Sequence, residues 1–256
     1  MKKIISFLSL FLVFSVFISA QTNEFQKIIA DDGIAYDYFG RSVATSGNYA
    51  IVGAHQNNSN SDGSGAAYIF ELAGAEWIQT AKFEPTDGAA DDEFGYSVDI
   101  DGNFAVVGSY MDDDRGDQSG SVYIFRNNSG TWEQVTKLVA SDGEQNDNFG
   151  ISVSISGNYI IVGAPGDDDN GTNSGAVYMY QYMGTYWNET KISITGNDQG
   201  DELGTSVAIE GNYAVIGAMG DDDIGPSNGA AYILKNNSGT WGQTNKIWST
   251  DIAQTD

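Results

Sequence analysis

FGISVSISGNYIIVGA, residues 149–164, decides the fold. Its first half alternates apolar and polar residues, as a half-buried strand does, and its second half is apolar at nearly every position. Ser-Gly-Asn between them signals a tight turn, so the stretch predicts a two-stranded hairpin whose second strand is buried on both faces. Reading on, GAVYMYQY (175–182) is aromatic and β-branched, and YWNETKISI (186–194) alternates again. Turn signals separate the four runs, and no 11-residue stretch has helical spacing. The unit therefore encodes a four-stranded antiparallel sheet.

The same unit is written four times. Phe39-Gly40, Phe94-Gly95, Phe149-Gly150 and Leu203-Gly204 stand 55, 55 and 54 residues apart. Trp77, Trp132, Trp187 and Trp241 keep those intervals, as do Gly47, Gly102, Gly157 and Gly211, each opening a Gly-Asn-aromatic triplet. These glycines fit hairpin turns, where positive φ carries no steric cost. The repeats are assigned to residues 39–93, 94–148, 149–202 and 203–256. A sheet of four strands with an apolar strand exposed on both faces is marginal alone, and radial stacking covers it on both sides. The expected fold is all-β, a β-propeller of four-stranded antiparallel blades with about four blades present. Lys82, Lys137, Lys191 and Lys246 share one position in the fourth run, where a charge on an outermost strand blocks edge-to-edge pairing.

Residues 21–38 precede the first repeat. Within them FQKIIADDG (25–33, containing Lys27) matches VTKLVASDG (135–143), giving five copies of the fourth run against four of the others. The ring is thus expected to be an incomplete part of a larger one, whose last blade takes residues 25–33 as its closing outer strand. Residues 1–20 read as a signal peptide. Two lysines precede the apolar core Ile4–Ile18, which is shorter than the about 20 residues that span a bilayer, and Ile18-Ser19-Ala20 fits a cleavage site. A secreted or cell-surface location follows, without membrane insertion once the signal is removed.

The chain has a formal net charge of −24, which disfavours nucleic acid and anionic lipid and attracts cations. An apolar content of 41%, with 12% aromatic residues, points to a packed core rather than disorder. There is no cysteine and one histidine. A Ser-His or Cys-His nucleophile and a His-rich zinc site are therefore poorly provided for, and no catalytic residue is assigned. Paired carboxylates leave glycoside hydrolysis formally open, but no acidic residue unique to one copy stands out.

With Phe-Gly opening each unit, Gly-Ala-Pro at 163–165, and Asp-x-Phe-Gly-x-Ser-Val at 92–98 and 147–153, the chain resembles FG-GAP repeat proteins. It is similar to the propeller of integrin α subunits and their bacterial relatives. The resemblance implies a propeller, often seven-bladed, on secreted or cell-surface proteins that bind macromolecules, frequently with Ca²⁺ in blade loops. The family's calcium loop lies between the first two strands of a blade. Here that interval is only a tight turn holding the pair Asp99 and Asp101, too few for a Ca²⁺ site.

The acidic runs lie one loop later: Asp112-Asp113-Asp114, Asp167-Asp168-Asp169 and Asp221-Asp222-Asp223. In extended backbone the first and third carboxylates of each run point the same way, so Asp112, Asp114, Asp167, Asp169, Asp221 and Asp223 are candidate Ca²⁺ ligands. The alternative is turn chemistry on a solvated acidic rim, since the first copy keeps the loop length with Asn and Ser. Asp37, Asp92, Asp147 and Asp201, two residues before each Phe-Gly position, are expected to cap the turn between blades. The functional expectation is an exported, non-catalytic binding or adhesion module for a protein or glycan. A structural spacer in a larger surface protein is the alternative.

Overall fold

The computed structural model describes residues 26–58 and 61–249; the signal-peptide assignment lies outside them, as does Phe25 of the expected closing strand. Four antiparallel sheets follow one another along the chain. Blade 1 contains β1 (Val43–Ser46), β2 (Tyr49–Ala54), β3 (Ala66–Ala73) and β4 (Glu76–Phe83). Blade 2 contains β5 (Ser97–Asp101), β6 (Phe104–Ser109), β7 (Ser121–Asn128) and β8 (Thr131–Leu138). Blade 3 contains β9 (Ser152–Ser156), β10 (Tyr159–Ala164), β11 (Ala176–Tyr182) and β12 (Trp187–Lys191). Blade 4 contains β13 (Leu203–Glu210), β14 (Tyr213–Ala218), β15 (Ala230–Asn237) and β16 (Thr240–Ile247). In every blade the strands lie in sequence order, a plain meander, and no helix occurs among the described residues.

The first hairpin of each blade turns over two residues, as Ser46↔Tyr49 and Ser156↔Tyr159 pair across it. Gly47, Gly102, Gly157 and Gly211 have φ of 56, 55, 57 and 55°, the left-handed conformation the Ser-Gly-Asn reading required. The inner strands surround a common axis. Ser42, Ser97, Ser152 and Ser206, with Val43, Val98, Val153 and Val207, line a single cavity.

Blades join through their Phe-Gly segments. The rings of Phe94 and Phe149 pack edge-on against tyrosines of their own blades, Tyr123 at 5.2 Å and Tyr178 at 5.4 Å. Their backbones bond to the blade before: Phe94 N donates to Ser64 O, Phe149 N to Ser119 O and Leu203 N to Ser174 O, at 3.0–3.1 Å. The following glycine carbonyls accept from Ser42, Ser97 and Ser152 Oγ at 2.7–2.8 Å. Facing these contacts, Ile51, Ala67 and Ile69 of blade 1, and Val106, Val122 and Ile124 of blade 2, are fully buried. Each such aliphatic side chain contributes about 1.5–3 kcal/mol by leaving water. Tryptophans add the outer contact, Trp132 on Tyr49, Trp187 on Phe104 and Trp241 on Tyr159 of the preceding blade.

Residues 26–33 form no strand. They run along the outer strand of blade 1, where the Gln26 amide exchanges bonds with Trp77 N and O at 2.7 and 2.8 Å and Asp31 N donates to Gln79 Oε1. Ala30 is buried there, as Ala140 is against blade 3.

The closeness of the blades explains the second glycine of the repeat. A Cβ on Gly108 lies 2.0 Å from the Gly150 carbonyl oxygen, whereas one on Gly217 meets only atoms of Ser206 in its own blade. Gly108→Ala is therefore expected to lose at least about 2 kcal/mol in urea denaturation, and Gly217→Ala less than about 1 kcal/mol.

Candidate functional site

The loops between second and third strands, and the segments before each Phe-Gly, share one face of the molecule, and the candidate Ca²⁺ ligands and the turn-capping aspartates lie on it. In blade 3, Asp167 is buried; its Oδ1 accepts from Asp169 N at 3.1 Å, and its Oδ2 accepts from Tyr178 Oη at 3.0 Å. Local bonding of this kind bends the loop so that the first and third aspartates point together. The middle one turns away: Asp168 Oδ1 accepts from Asn173 N, and Asp113 Oδ1 from Gln118 N.

The converging carboxylates meet a cation from the chain itself. Lys191 Nζ lies 2.7 Å from Asp167, 2.6 Å from Asp169 and 2.9 Å from Asp142, which arrives on the linker from blade 2. Blade 2 repeats this with Lys137 on Asp112, Asp114 and Asp87 at 2.8, 2.6 and 2.9 Å. In blade 4, Lys246 bonds Asp221 and Asp223, and the Gly196 carbonyl stands in for the linker carboxylate. In blade 1, Asn57 takes the buried aspartate's seat, and Lys82 reaches Asp32 at 2.6 Å and Glu84 at 2.8 Å. Each ammonium also sits over the ring of the blade's tyrosine, 5.0–5.6 Å from its centre. The lysines do stand on outermost strands, as the sequence predicted. Their charge does not guard a bare edge, however: it is tied into the loop.

Electrostatics follow from this seating. Burial disfavours the charge on Lys137 and Lys191, but the carboxylates around each outweigh it and hold the pKa above the usual lysine value. Burial also works against ionisation of Asp87 and Asp142, and the lysine and tyrosine bonded to each win, keeping both below the ordinary aspartate range. Asp92 and Asp147 behave oppositely. Burial, reinforced by the nearby Asp112 and Asp167, pushes them up to about 6 against one backbone hydrogen bond. That bond is the expected turn cap: Asp37, Asp92, Asp147 and Asp201 accept from Ile34, Ala89, Glu144 and Asp198 N at 2.6–2.9 Å.

Asp142, Asp167 and Asp169 each place a carboxylate oxygen within 4.8 Å of the others, close enough to share one metal ion. The Lys191 ammonium already bonds all three, so the seat is filled by a side chain and fits a divalent ion only if Lys191 leaves. Asp142 was not among the predicted ligands, since it lies outside the triplet. Asp99 and Asp101 instead tie blade 2 to blade 3, accepting from Ser154 Oγ, Ile155 N and Gly157 N at 2.7–2.8 Å.

A second grouping was missed by sequence reasoning. Near the axis, Tyr38, His55, Tyr96 and Tyr110 form a chain of rings with centres 5.3, 5.5 and 4.4 Å apart, and the Arg41 guanidinium stacks 4.0 Å from Tyr96. Glu93 accepts from Gln56 at 2.8 Å beside them. Burial and the Arg41 charge keep the His55 pKa low; burial raises that of Glu93 despite its bonds to Tyr110 and Gln56. Arg41 and Tyr96 also line the mouth of the 420 Å³ axial cavity with Ile151 and Thr205. The signal was present in the sequence. The residues at these positions differ between copies: His55, Tyr110, Pro165 and Met219 occupy one, and Arg41, Tyr96, Ile151 and Thr205 another.

Lys191→Met strands a buried carboxylate and is expected to lower stability by about 2 kcal/mol at neutral pH, measured by denaturant titration. Adding Asp167→Asn, the residue type already present at Asn57, should recover part of that loss.

The FG-GAP repeat family model matches residues 22–70, 77–125, 132–180 and 187–234. The second to fourth matches each begin in the outer strand of one blade and end in the third strand of the next. No curated protein matches the chain at a significant level. With most of its length covered by four repeats of one model, the chain belongs to the FG-GAP repeat family.

Proposed function

We propose that the protein is an exported, non-catalytic binding module that presents the face carrying the acidic loops to a protein or glycan. The observation that carries this reading is the patch formed by Tyr38, Arg41, His55, Glu93, Tyr96 and Tyr110. The Phe-Gly contacts that hold the blades together recur from copy to copy, whereas this patch breaks the repeat. Aromatic rings beside a cation and a carboxylate, at the mouth of a cavity, are the surface chemistry that anchors partners and sugars. The clustered carboxylates support a non-catalytic reading, because in blades 2–4 they are bonded to lysine. Tyr96→Ala combined with Arg41→Ala should reduce binding at least tenfold in glycan-array and cell-attachment assays while leaving the melting temperature within a few degrees. Undiminished binding by this variant, or no binding by the unaltered protein in either assay, would sink the reading.

For calcium, we propose that the lysines stand in the place of the divalent ion, so that the blades fold without it. The support is the bonding of Lys191 to all three carboxylates of the cluster that would otherwise gather one. Ca²⁺ is expected to leave the melting temperature of the unaltered protein unchanged and to raise that of Lys191→Met, read by calorimetry with and without chelator.

A further inference from the structure

The hairpins that join third and fourth strands stand on the face opposite the acidic loops, and the one in blade 3 breaks the repeat. It reads Tyr182-Met183-Gly184-Thr185-Tyr186-Trp187, against Asn127-Asn128-Ser129-Gly130-Thr131-Trp132 in blade 2 and Asn236-Asn237-Ser238-Gly239-Thr240-Trp241 in blade 4. Two tyrosines thus replace asparagine and threonine. Together with the outer strand of blade 2, this hairpin encloses a cleft of 490 Å³. Its wall is aromatic: the rings of Phe104, Tyr182 and Trp187 have centres 5.0–5.6 Å apart, and the Tyr182 hydroxyl is fixed by donating to the Gly184 carbonyl. Tyr186, 58% exposed, and Val135, 46% exposed, stand at its mouth. Both sides belong to adjoining blades, so the cleft is a property of an internal junction.

The same junction is fuller elsewhere. Leu138 of the cleft corresponds to Phe83 between blades 1 and 2, whose ring stacks on Phe125 with centres 3.9 Å apart and reaches Trp132 at 5.9 Å. Between blades 3 and 4 the space beside Tyr159 and Trp241 is 190 Å³. A smaller side chain at 138 and a larger hairpin opposite it therefore make the room and the wall together. Polar groups complete the cleft. Arg126 is exposed, with its guanidinium carbon 5.6 Å from the centre of the Phe104 ring. The ion pairs among the described residues fall to Lys82, Lys137, Lys191 and Lys246, and Arg126 has none. A guanidinium held on an aromatic face keeps its fork of N–H donors for a ligand. The Thr136 hydroxyl donates to the Lys137 carbonyl and retains acceptor capacity.

We propose that this cleft binds a pyranose unit of a glycan, with the sugar ring stacked on the aromatic wall and its oxygens accepting from Arg126. A pyranose has an apolar C–H face, which suits an aromatic surface, and a rim of oxygens and hydroxyls, which needs donors and acceptors at the edge. The cleft supplies both, and its volume lies within the about 300–1,000 Å³ of small-ligand pockets. The site is separate from the patch around Arg41 and Tyr96: it lies on the opposite face and at a different blade junction, so either can fail without the other.

The test titrates the protein with soluble cello-, xylo-, manno-, chito- and galacturono-oligosaccharides, followed by tryptophan fluorescence, which reports on Trp187, and by ligand-observed NMR. At least one of these sugars should bind at millimolar concentration or below; a neutral one makes Arg126 a donor to hydroxyls, and the galacturonate a donor to its carboxylate. Tyr186→Thr combined with Arg126→Gln introduces the residue types already present at Thr131 and Gln181 of the other repeats. This variant should keep the melting temperature and lose at least tenfold in affinity for that sugar, whereas Tyr96→Ala with Arg41→Ala should leave it unchanged. Binding of none of the sugars, undiminished binding by the Tyr186→Thr, Arg126→Gln variant, or loss in the Tyr96→Ala, Arg41→Ala variant alone would overturn the proposal.

Discussion

A strand that is apolar on both faces cannot remain at the surface of a single sheet, and this constraint organises the molecule. Residues such as Ile160, Ile161 and Val162 are all buried because Ile160 and Val162 face the blade before and Ile161 the blade that follows. Two sheets can approach so closely only where side chains are absent, which is why glycine faces glycine at 108 and 150 and at 163 and 204. The Phe-Gly pair divides the work between its residues: the ring fills its own blade while the backbone and the glycine meet the one before.

The acidic loops show how a chain of strongly negative charge holds carboxylates together. Burying Asp112, Asp167 and Asp221 without a counter-charge is costly, and the lysine of each outer strand removes most of that cost. In blades 2 and 3 the same ammonium bonds the linker carboxylate from the preceding blade, so one cation fastens loop, outer strand and linker at once. The blade-4 version, with a carbonyl at Gly196 in place of the linker aspartate, and the blade-1 version, with Asn57 in place of the buried aspartate and Glu84 as an added carboxylate, show that the latch tolerates changes in the partners of its lysine.

Scaffold and variable surface are separated in a way that repeat proteins permit. Positions that set blade spacing are constrained by two neighbours and cannot vary far. Those flanking Phe-Gly, and the third residue of the Gly-Ala-x stretch, project toward the axis and are free to differ. Tyr38 and Glu93 hold positive φ, 53 and 55°, as do their equivalents Asn148 and Glu202, so the loop conformation is common to all four blades while the side chains it presents are not.

Much of the fold was legible because the chain carries its own alignment. Strand runs, turn glycines and blade count follow from comparing copies such as Phe94-Gly95 with Phe149-Gly150. The convergence of Asp112 with Asp114 was expected from alternation in extended backbone, but the structure reaches it through a bend in which Asp112 Oδ1 accepts from Asp114 N. Residues 26–33, which are similar to 136–143, lie against blade 1 without forming a strand, because a strand needs a pairing partner and sequence similarity does not supply one. The seat of Lys137 among Asp87, Asp112 and Asp114 was not legible, as it joins groups 50, 25 and 23 residues apart. Differences between copies marked the positions of Tyr38, His55, Tyr96 and Tyr110, but their gathering from separate loops was not readable from them. The sequence by itself determined the local, periodic features: strands, turns and the need for stacked sheets. Only the tertiary structure decided which charges neutralise one another and which side chains share a surface, because those depend on the distance between blades, and no local pattern encodes that distance.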